Sequence, residues 1–409
     1  MRLLKKFTNL GMQGSAHIIA PLVVVMGIAV VGTYVLVASH ADAATPPIEF
    51  LTTAGSTDTN LKEAIKTIDL STNALKTYAS ASGSQNTVSD AAYSPDHKYL
   101  AWSGGGYNGT STDHEYIYIQ TLATGAKKTV ALPANSGIYG DSVLSWAPQS
   151  NKLAFTTNDY NPTTQQTTPS IRTVNADGTA LTKVYSTTAA TIGSFAQSGD
   201  GKSVVYTSFG TKSSTTDGLY SVTAGATPVR IKLGSCDKVR TVKGGSSVVY
   251  QCTTATGTTF YSSTPGSANA KALYTFTNTT GAGGVSYDVQ DLAPSPTGTT
   301  VGMSVLKRVT ASQANCTYTE QLFIFTMPIA ANAARTTAYT GPKSAVGGGC
   351  YGGGSFDAYS LQWSPDSSSL AYLKGTPFNQ PAGLSLNLLT IKTGASRQLV
   401  AAPVASISW

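Results

Sequence analysis

"LQWSPDSSSLAYLKG", residues 361–375, is an apolar run, a Ser-Pro-Asp turn and a second apolar run. Proline presets φ for the second position of a turn, and aspartate bonds back to nearby amides, so the phrase predicts a β-hairpin. Copies of it stand at "AAYSPDHKYLAW" (91–102), "LSWAPQSNKLAF" (144–155), "GSFAQSGDGKSVVY" (193–206), "VRTVKGGSSVVY" (239–250) and "LAPSPTGTTVGM" (292–303). Pro95 and Pro148 are 53 residues apart, and Pro148 and Pro296 are 148 apart, or three similar steps. The 69 residues from Pro296 to Pro365 mark a unit with an insertion.

A second strand pair follows each hairpin, around a Gly or Asn turn: "YIYIQTLATGAKKTVAL" (116–132), "SIRTVNADGTALTKVY" (170–185), "GLYSVTAGATPVRIKL" (218–233) and "SLNLLTIKTGASRQLV" (385–400). Four short antiparallel strands per unit, repeated around an axis, predict an all-β chain folded as a β-propeller. The first segment, "IEFLTTAG" (48–55), matches "KLAFTTND" (152–159), which is a second strand. "AIKTIDLSTNALKTYA" (64–79) supplies the third and fourth, and the missing first strand is the terminal "ASISW" (405–409). Pairing the C-terminal strand with the N-terminal blade would close the ring and remove two exposed sheet edges. The expected count is seven blades, with the unit at 239–275 irregular because it lacks the Pro-Asp turn.

Composition points the same way. Of 409 residues, 41% are hydrophobic and only 11% charged, well below the usual quarter or so. Such a surface disfavours long exposed helices and suits strands and turns. The net charge is +7, but Arg2, Lys5 and Lys6 lie ahead of an apolar run, and no basic stripe follows it. Nucleic acid is therefore not an expected partner.

The chain divides into a basic segment (1–17), an uncharged run (18–38), a linker (39–47) and the repeats (48–409). The run, "IIAPLVVVMGIAVVGTYVLVA", is long enough as a helix to cross a bilayer. Basic residues on its N-terminal side predict a cytoplasmic N-terminus, an extracytoplasmic repeat domain and a signal-anchor. "HADAA" also offers small residues for cleavage after Ala43, which would give a secreted protein. Cysteines 236, 252, 316 and 350 show no zinc-type spacing. The preferred pairing is Cys236–Cys252, which flank a hairpin, with Cys316–Cys350.

"YSPDHKYLAW", "WSPDSSSLAY" and "VNADGTALTKVY" resemble TolB-like propeller repeats, over essentially all of 48–409. The resemblance implies blade geometry, and a role as a binding module of the cell envelope. The usual Gly after Pro-Asp is replaced here by His97 and Ser367, and Gln149-Ser150 stand for Asp-Gly. The N-terminal α/β domain of TolB has no counterpart in this sequence.

Catalytic signals are sparse. No G-x-S-x-G nucleophile elbow occurs. His97 and His114 fall on opposite faces of a propeller, and "TDHE" (112–115) reads as a solvated loop. "NDYNP" (158–162) lacks spaced calcium carboxylates, and "GGGCYGGGSF" (347–356) lacks a phosphate-loop lysine. The expectation is no catalytic residues, no metal and no cofactor. Long loops between second and third strands, at 103–115, 156–169, 207–217 and 305–320, share one face. They carry Tyr107, Asn108, His114, Tyr160, Asn161, Phe209 and Arg308, the residue types that anchor binding surfaces. The expected function is a membrane-tethered scaffold for an envelope protein or peptide. The alternatives are a polysaccharide lyase or glycosidase, and a lectin-like glycan binder.

Overall fold

Where the phrase keeps its serine and its aspartate, it folds in one way. The hydroxyl of Ser94 donates to Asp96 at 2.7 Å and accepts from the amide of Tyr99 at 3.0 Å. Ser364 repeats this with Asp366 and Ser369, and Ser198 with Asp200 and Ser203. Each aspartate also accepts an amide two residues on, from Lys98, Ser368 or Lys202. The turn therefore closes on its own side chains, which explains the recurrence of Ser and Asp. The residue after the aspartate is left-handed, with φ 54° at His97, 61° at Ser367 and 66° at Gly201. Ser367 bears that strain without a gain, because its buried hydroxyl has no hydrogen-bond partner. Ser367→Gly is expected to stabilise the fold by about 1 kcal/mol, read as a higher urea midpoint at unchanged slope.

The computed structural model describes residues 46–52, 62–82, 86–106, 114–138, 144–149, 151–210, 217–242, 244–245, 247–281, 283–312, 317–346, 360–375 and 384–409. Within them β1 (Ile48–Thr52), β2 (Lys62–Ile68) and β3 (Leu75–Ser82) come first. β4 (Asn86–Tyr93), β5 (Tyr99–Gly106), β6 (His114–Thr121) and β7 (Lys127–Ala131) form an antiparallel sheet in that order. In the next, β8 (Ser136–Ile138) and β9 (Ser145–Trp146) share the leading position beside β10 (Lys152–Asn161), then β11 (Gln166–Asn175) and β12 (Thr182–Ser186). A third holds β13 (Ala190–Gln197), β14 (Ser203–Gly210), β15 (Gly218–Thr223) and β16 (Val229–Leu233). A fourth holds β17 (Ser235–Thr241), β18 (Val248–Thr254), β19 (Gly257–Ser263) and β20 (Ala270–Thr277). A fifth holds β21 (Val285–Pro294), β22 (Thr300–Ser312), β23 (Thr317–Pro328) and β24 (Thr336–Val346). Last come β25 (Leu361–Trp363), β26 (Ser369–Lys374), β27 (Leu384–Thr390) and β28 (Ala395–Ser408).

β28 serves two groups. Ala395 to Val400 pair with β27, while Val404 to Ser408 pair with β1, setting Phe50 opposite Ile407 and Glu49 opposite Ser408. One seven-stranded sheet results, in the order β25-β26-β27-β28-β1-β2-β3. The segment 48–52 thus takes its first-strand partner from the C-terminus, as its likeness to a second strand implied.

Hydrophobic clusters fill the seams between successive groups. Leu51 and Ile65 meet Leu100 and Trp102, and Ala101 and Ile117 meet Trp146 and Phe155. Further seams join β10–β12 to β13–β15, the disulfide sheet to both its neighbours, and β21–β23 to β25–β27. Ile48 and Phe50 pack on Ala371, Leu386 and Leu388, so the first group also meets the last. The aromatic residue of the phrase fastens these seams. Trp146 donates its indole N–H to the carbonyl of Ala92 at 3.0 Å, and Trp363 donates to Ala293 at 2.7 Å, each in the preceding group.

The unit at 239–275 forms four strands despite its missing Pro-Asp turn. Gly244 and Gly245 make its left-handed turn, with φ 84° and 68°. Cys236 and Cys252 face each other in register on β17 and β18 and form a disulfide. Replacing both with serine is expected to cost about 3 kcal/mol, measured as a fall in unfolding free energy in urea. Cys316, Cys350, the run 18–38 and Ala43 lie outside the described residues. Among the described residues no helix is long and apolar enough to cross a membrane.

Candidate binding face

The second strand of each group runs away from the Ser-Pro-Asp turn, and its far end leads into one of the segments expected as long loops. Two of those segments are mostly strand. β10 and β11 stay in unbroken register from Lys152 opposite Asn175 to Asn161 opposite Gln166. β22 and β23 pair from Thr300 opposite Pro328 to Ser312 opposite Thr317. This corrects the loop reading: Thr-rich polar stretches are good strand formers when a partner strand takes up their backbone groups, whatever their hydropathy.

Tyr160 sits one residue from the tip of the β10–β11 hairpin and is 45% exposed. Asn161 beside it is committed to the turn, its side-chain oxygen accepting from the amides of Thr163 and Thr164 at 2.9 and 3.2 Å. Below them lies a network that the sequence did not signal. Arg172, a buried residue of β11, makes two bonds to Asp159 at 2.8 and 2.9 Å. Asp159 also accepts from Ser136 and Ser170, both at 2.8 Å, and lies 3.6 Å from the Lys183 ammonium. Burial alone would raise the Asp159 carboxyl, but the bonds from Arg172, Ser136 and Ser170 outweigh it and hold it below the usual carboxylate range. The hairpin that carries Tyr160 is therefore braced by a charged cluster at its base.

Arg308 is a strand residue of β22 rather than a loop residue. Its guanidinium binds Glu320 at 2.6 Å, stands 3.7 Å from Asp288, and covers the ring of Tyr318 at 5.9 Å. Burial opposes its charge, and the bond to Glu320 more than offsets that, raising its pKa. Phe209 lies half-buried near the end of β14, and its ring occupies the space where a side chain on Gly193 would go. His114 opens β6 opposite Gly106. Tyr107 and Asn108 lie outside the described residues. The structure thus sets Tyr160 outward on a rigid hairpin and gives Asn161, Phe209 and Arg308 neighbours within their own groups.

Charge also gathers on the leading strands. β17 carries Asp237, Lys238 and Arg240, and β21 carries Asp288 and Asp291. Arg240 reaches across a seam to Asp291 at 2.7 Å, and Asp291 in turn accepts the amides of Leu292 and of Leu361 in the next group, both at 2.8 Å. Among the described residues, no three His, Cys, Asp or Glu side chains come together to hold a metal ion.

This arrangement recurs in solved structures. An oligogalacturonate lyase in complex with manganese superposes with a TM-score of 0.53 at 14% identity, over 81% of this chain and 86% of that one. The fold is a β-propeller. A putative 6-phosphogluconolactonase from Bacteroides fragilis matches with a TM-score of 0.52 at 12% identity, over 90% of this chain and 98% of its own. TolB from Acinetobacter baumannii is found with a TM-score of 0.43 at 15% identity, over 73% of this chain and 65% of its own. No protein-family model and no curated protein sequence matches the chain. At such identities the likeness concerns the propeller alone, since one propeller geometry carries many chemistries.

Proposed function

We propose that this propeller has seven blades closed by β28, is held outside the cytoplasm by the 18–38 segment, and binds a protein or peptide at the ends of its second strands. The observation that carries the reading is Tyr160, an exposed aromatic on a hairpin braced by the Arg172–Asp159 cluster. A rigid aromatic anchor loses little entropy on binding, which is how tyrosine becomes dominant in interfaces. Arg308 with Tyr318 supplies a second fixed donor near the end of β22.

Full-length protein crosslinked in its native membrane should capture a specific protein. Tyr160→Ala is expected to weaken that capture about 30-fold, the loss of one hot-spot residue, with the melting temperature unchanged. Capture unaffected by both Tyr160→Ala and Arg308→Ala would overturn the reading. Propeller enzymes acting on polysaccharide, and glycan-binding propellers, form the second reading, supported by the charged residues of β17 and β21. It becomes the better one if no protein is captured and a polysaccharide binds.

A further inference from the structure

Three carboxylates are buried among the described residues: Asp291, Glu320 and Glu49. Two of them have a guanidinium in contact, Arg240 on Asp291 at 2.7 Å and Arg308 on Glu320 at 2.6 Å. Glu49 differs. It is wholly buried, and neither of its carboxylate oxygens has a hydrogen-bond partner among the described residues.

Glu49 lies on β1, the strand that joins the N-terminal segment of the repeats to β28, and its partner there is Ser408. At the equivalent place the other second strands carry Ala101, Ala154, Val205, Val249, Gly302 and Ala371. A small or apolar residue therefore satisfies the blade at this place. The acid of β1 is not a requirement of packing.

Residues alternate across a strand, so Glu49 shares with Leu51 the face toward β4–β7, where Leu51 packs with Ile65, Leu100 and Trp102. From β28 the same face receives Ser406 and Ser408, and the Ser408 hydroxyl accepts the amide of Tyr93 at 2.9 Å. β2 sets Thr67 opposite Glu49 and carries Glu63 four residues along, while Lys66 alternates to the other face with Phe50. On β3, Lys76 is exposed and lies over the Tyr78 ring at 4.6 Å. β4 contributes Asp90 and Tyr93, and both act electrostatically on or with Glu49. Farther out, Lys127 of β7 lies over the rings of Tyr118 and Trp102, at 4.9 and 6.0 Å. The titratable neighbours of Glu49 are thus acids and phenols, and the two lysines on this side are engaged with rings.

Ionising a carboxyl in such surroundings gives up its hydration and gains no counter-charge, so the neutral acid is the favoured form. Burial first, and the Asp90 charge second, raise the Glu49 carboxyl well above its usual range. We propose that Glu49 holds a proton in the folded chain and makes the pairing of β1 with β28 sensitive to pH. When the proton leaves for water, the seam between β1 and β4 must either keep a bare carboxylate or open to hydrate it. The unfolded chain, with Glu49 near its ordinary value of 4.5, gives up that proton at lower pH than the folded one. The stability that this group contributes is therefore complete below about pH 4.5 and is lost as pH rises through the raised value of the folded state. Acid holds the strand pair, and alkali loosens it.

Urea unfolding of the full-length protein is measured across pH for the native chain, Glu49→Gln and Glu49→Ala, and hydrogen exchange of the amides of 48–52 and 404–408 is followed at each pH. Glutamine keeps the shape of the neutral acid, and alanine is what β5, β10 and β26 carry at this place, so one control stands if the other fails to fold. Relative to either variant, the native unfolding constant is expected to rise about tenfold per pH unit above 4.5, until Glu49 ionises in the folded state. Exchange at 48–52 and 404–408, taken as a ratio to Glu49→Gln at the same pH, should quicken in step. A native curve parallel to both variants, or one that gains on them as pH rises, overturns the proposal. So does a fall in stability that leaves the exchange ratio flat, because the proton then acts away from the pairing of β1 with β28.

Discussion

Gly245→Ala will cost the protein about 4 kcal/mol or more of stability. Two causes add. The residue holds φ at 68°, where an alanine pays about 1–2 kcal/mol. A Cβ built there would also lie 1.6 Å from the Cα of Gly199 in the neighbouring turn. The obstacle is backbone on both sides, so no rotamer change relieves it. The contact is reciprocal, with the Gly199 amide donating to the Gly245 carbonyl at 3.1 Å and a Cβ on Gly199 meeting Gly245 at 2.5 Å. Urea denaturation followed by circular dichroism is the measurement, and Gly225→Ala is its control. Gly225 shares a left-handed φ of 77° but has open space around it, so it should lose only the conformational part. Equal losses at the two sites would mean that the interlocked turns contribute nothing.

Asp291→Ala is expected to cost about 3–5 kcal/mol, because it removes the shared acceptor of three blades at once. The buried carboxylate binds Arg240 of the preceding blade, its own Leu292 amide and the Leu361 amide of the following blade. Alanine leaves a guanidinium without its counter-charge and the amides of two buried leucines unsatisfied. Asp291→Asn keeps an acceptor and should lose less than half as much. Arg240→Ala alone should fall between, since the arginine side chain is 29% exposed and water entering its place takes over part of its role toward Asp291. A loss below about 1 kcal/mol for Asp291→Ala would show that the seams stand on apolar packing alone.

The two substitutions act on different levels of the same design. Gly245 lets two turns approach, and Asp291 lets three leading strands share one charge. Neither residue touches Tyr160 or its hairpin, so a loss of partner capture in Tyr160→Ala and a loss of stability in these variants can be told apart.

What could be read from the chain alone was whatever repeats or closes locally. The Ser-Pro-Asp turn satisfies its own amides within a few residues, so it and its looser copies, six phrases in all, announced hairpins without reference to anything distant. The Cys236–Cys252 pair was legible because a hairpin brings its two ends together. The pairing of 48–52 with the C-terminal strand was legible because a second strand without a first implies one elsewhere. Strand length at 156–169 and 305–320 was not, since polar threonine-rich segments become strand only when a partner accepts their hydrogen bonds. The braced Asp159–Arg172 cluster and the Arg240–Asp291 bridge were equally silent. Their members lie 13 and 51 residues apart and carry no motif. Tertiary structure alone joined them, because the sign and partner of a charge in a propeller seam depend on which blades stack, and stacking leaves no local trace in the sequence.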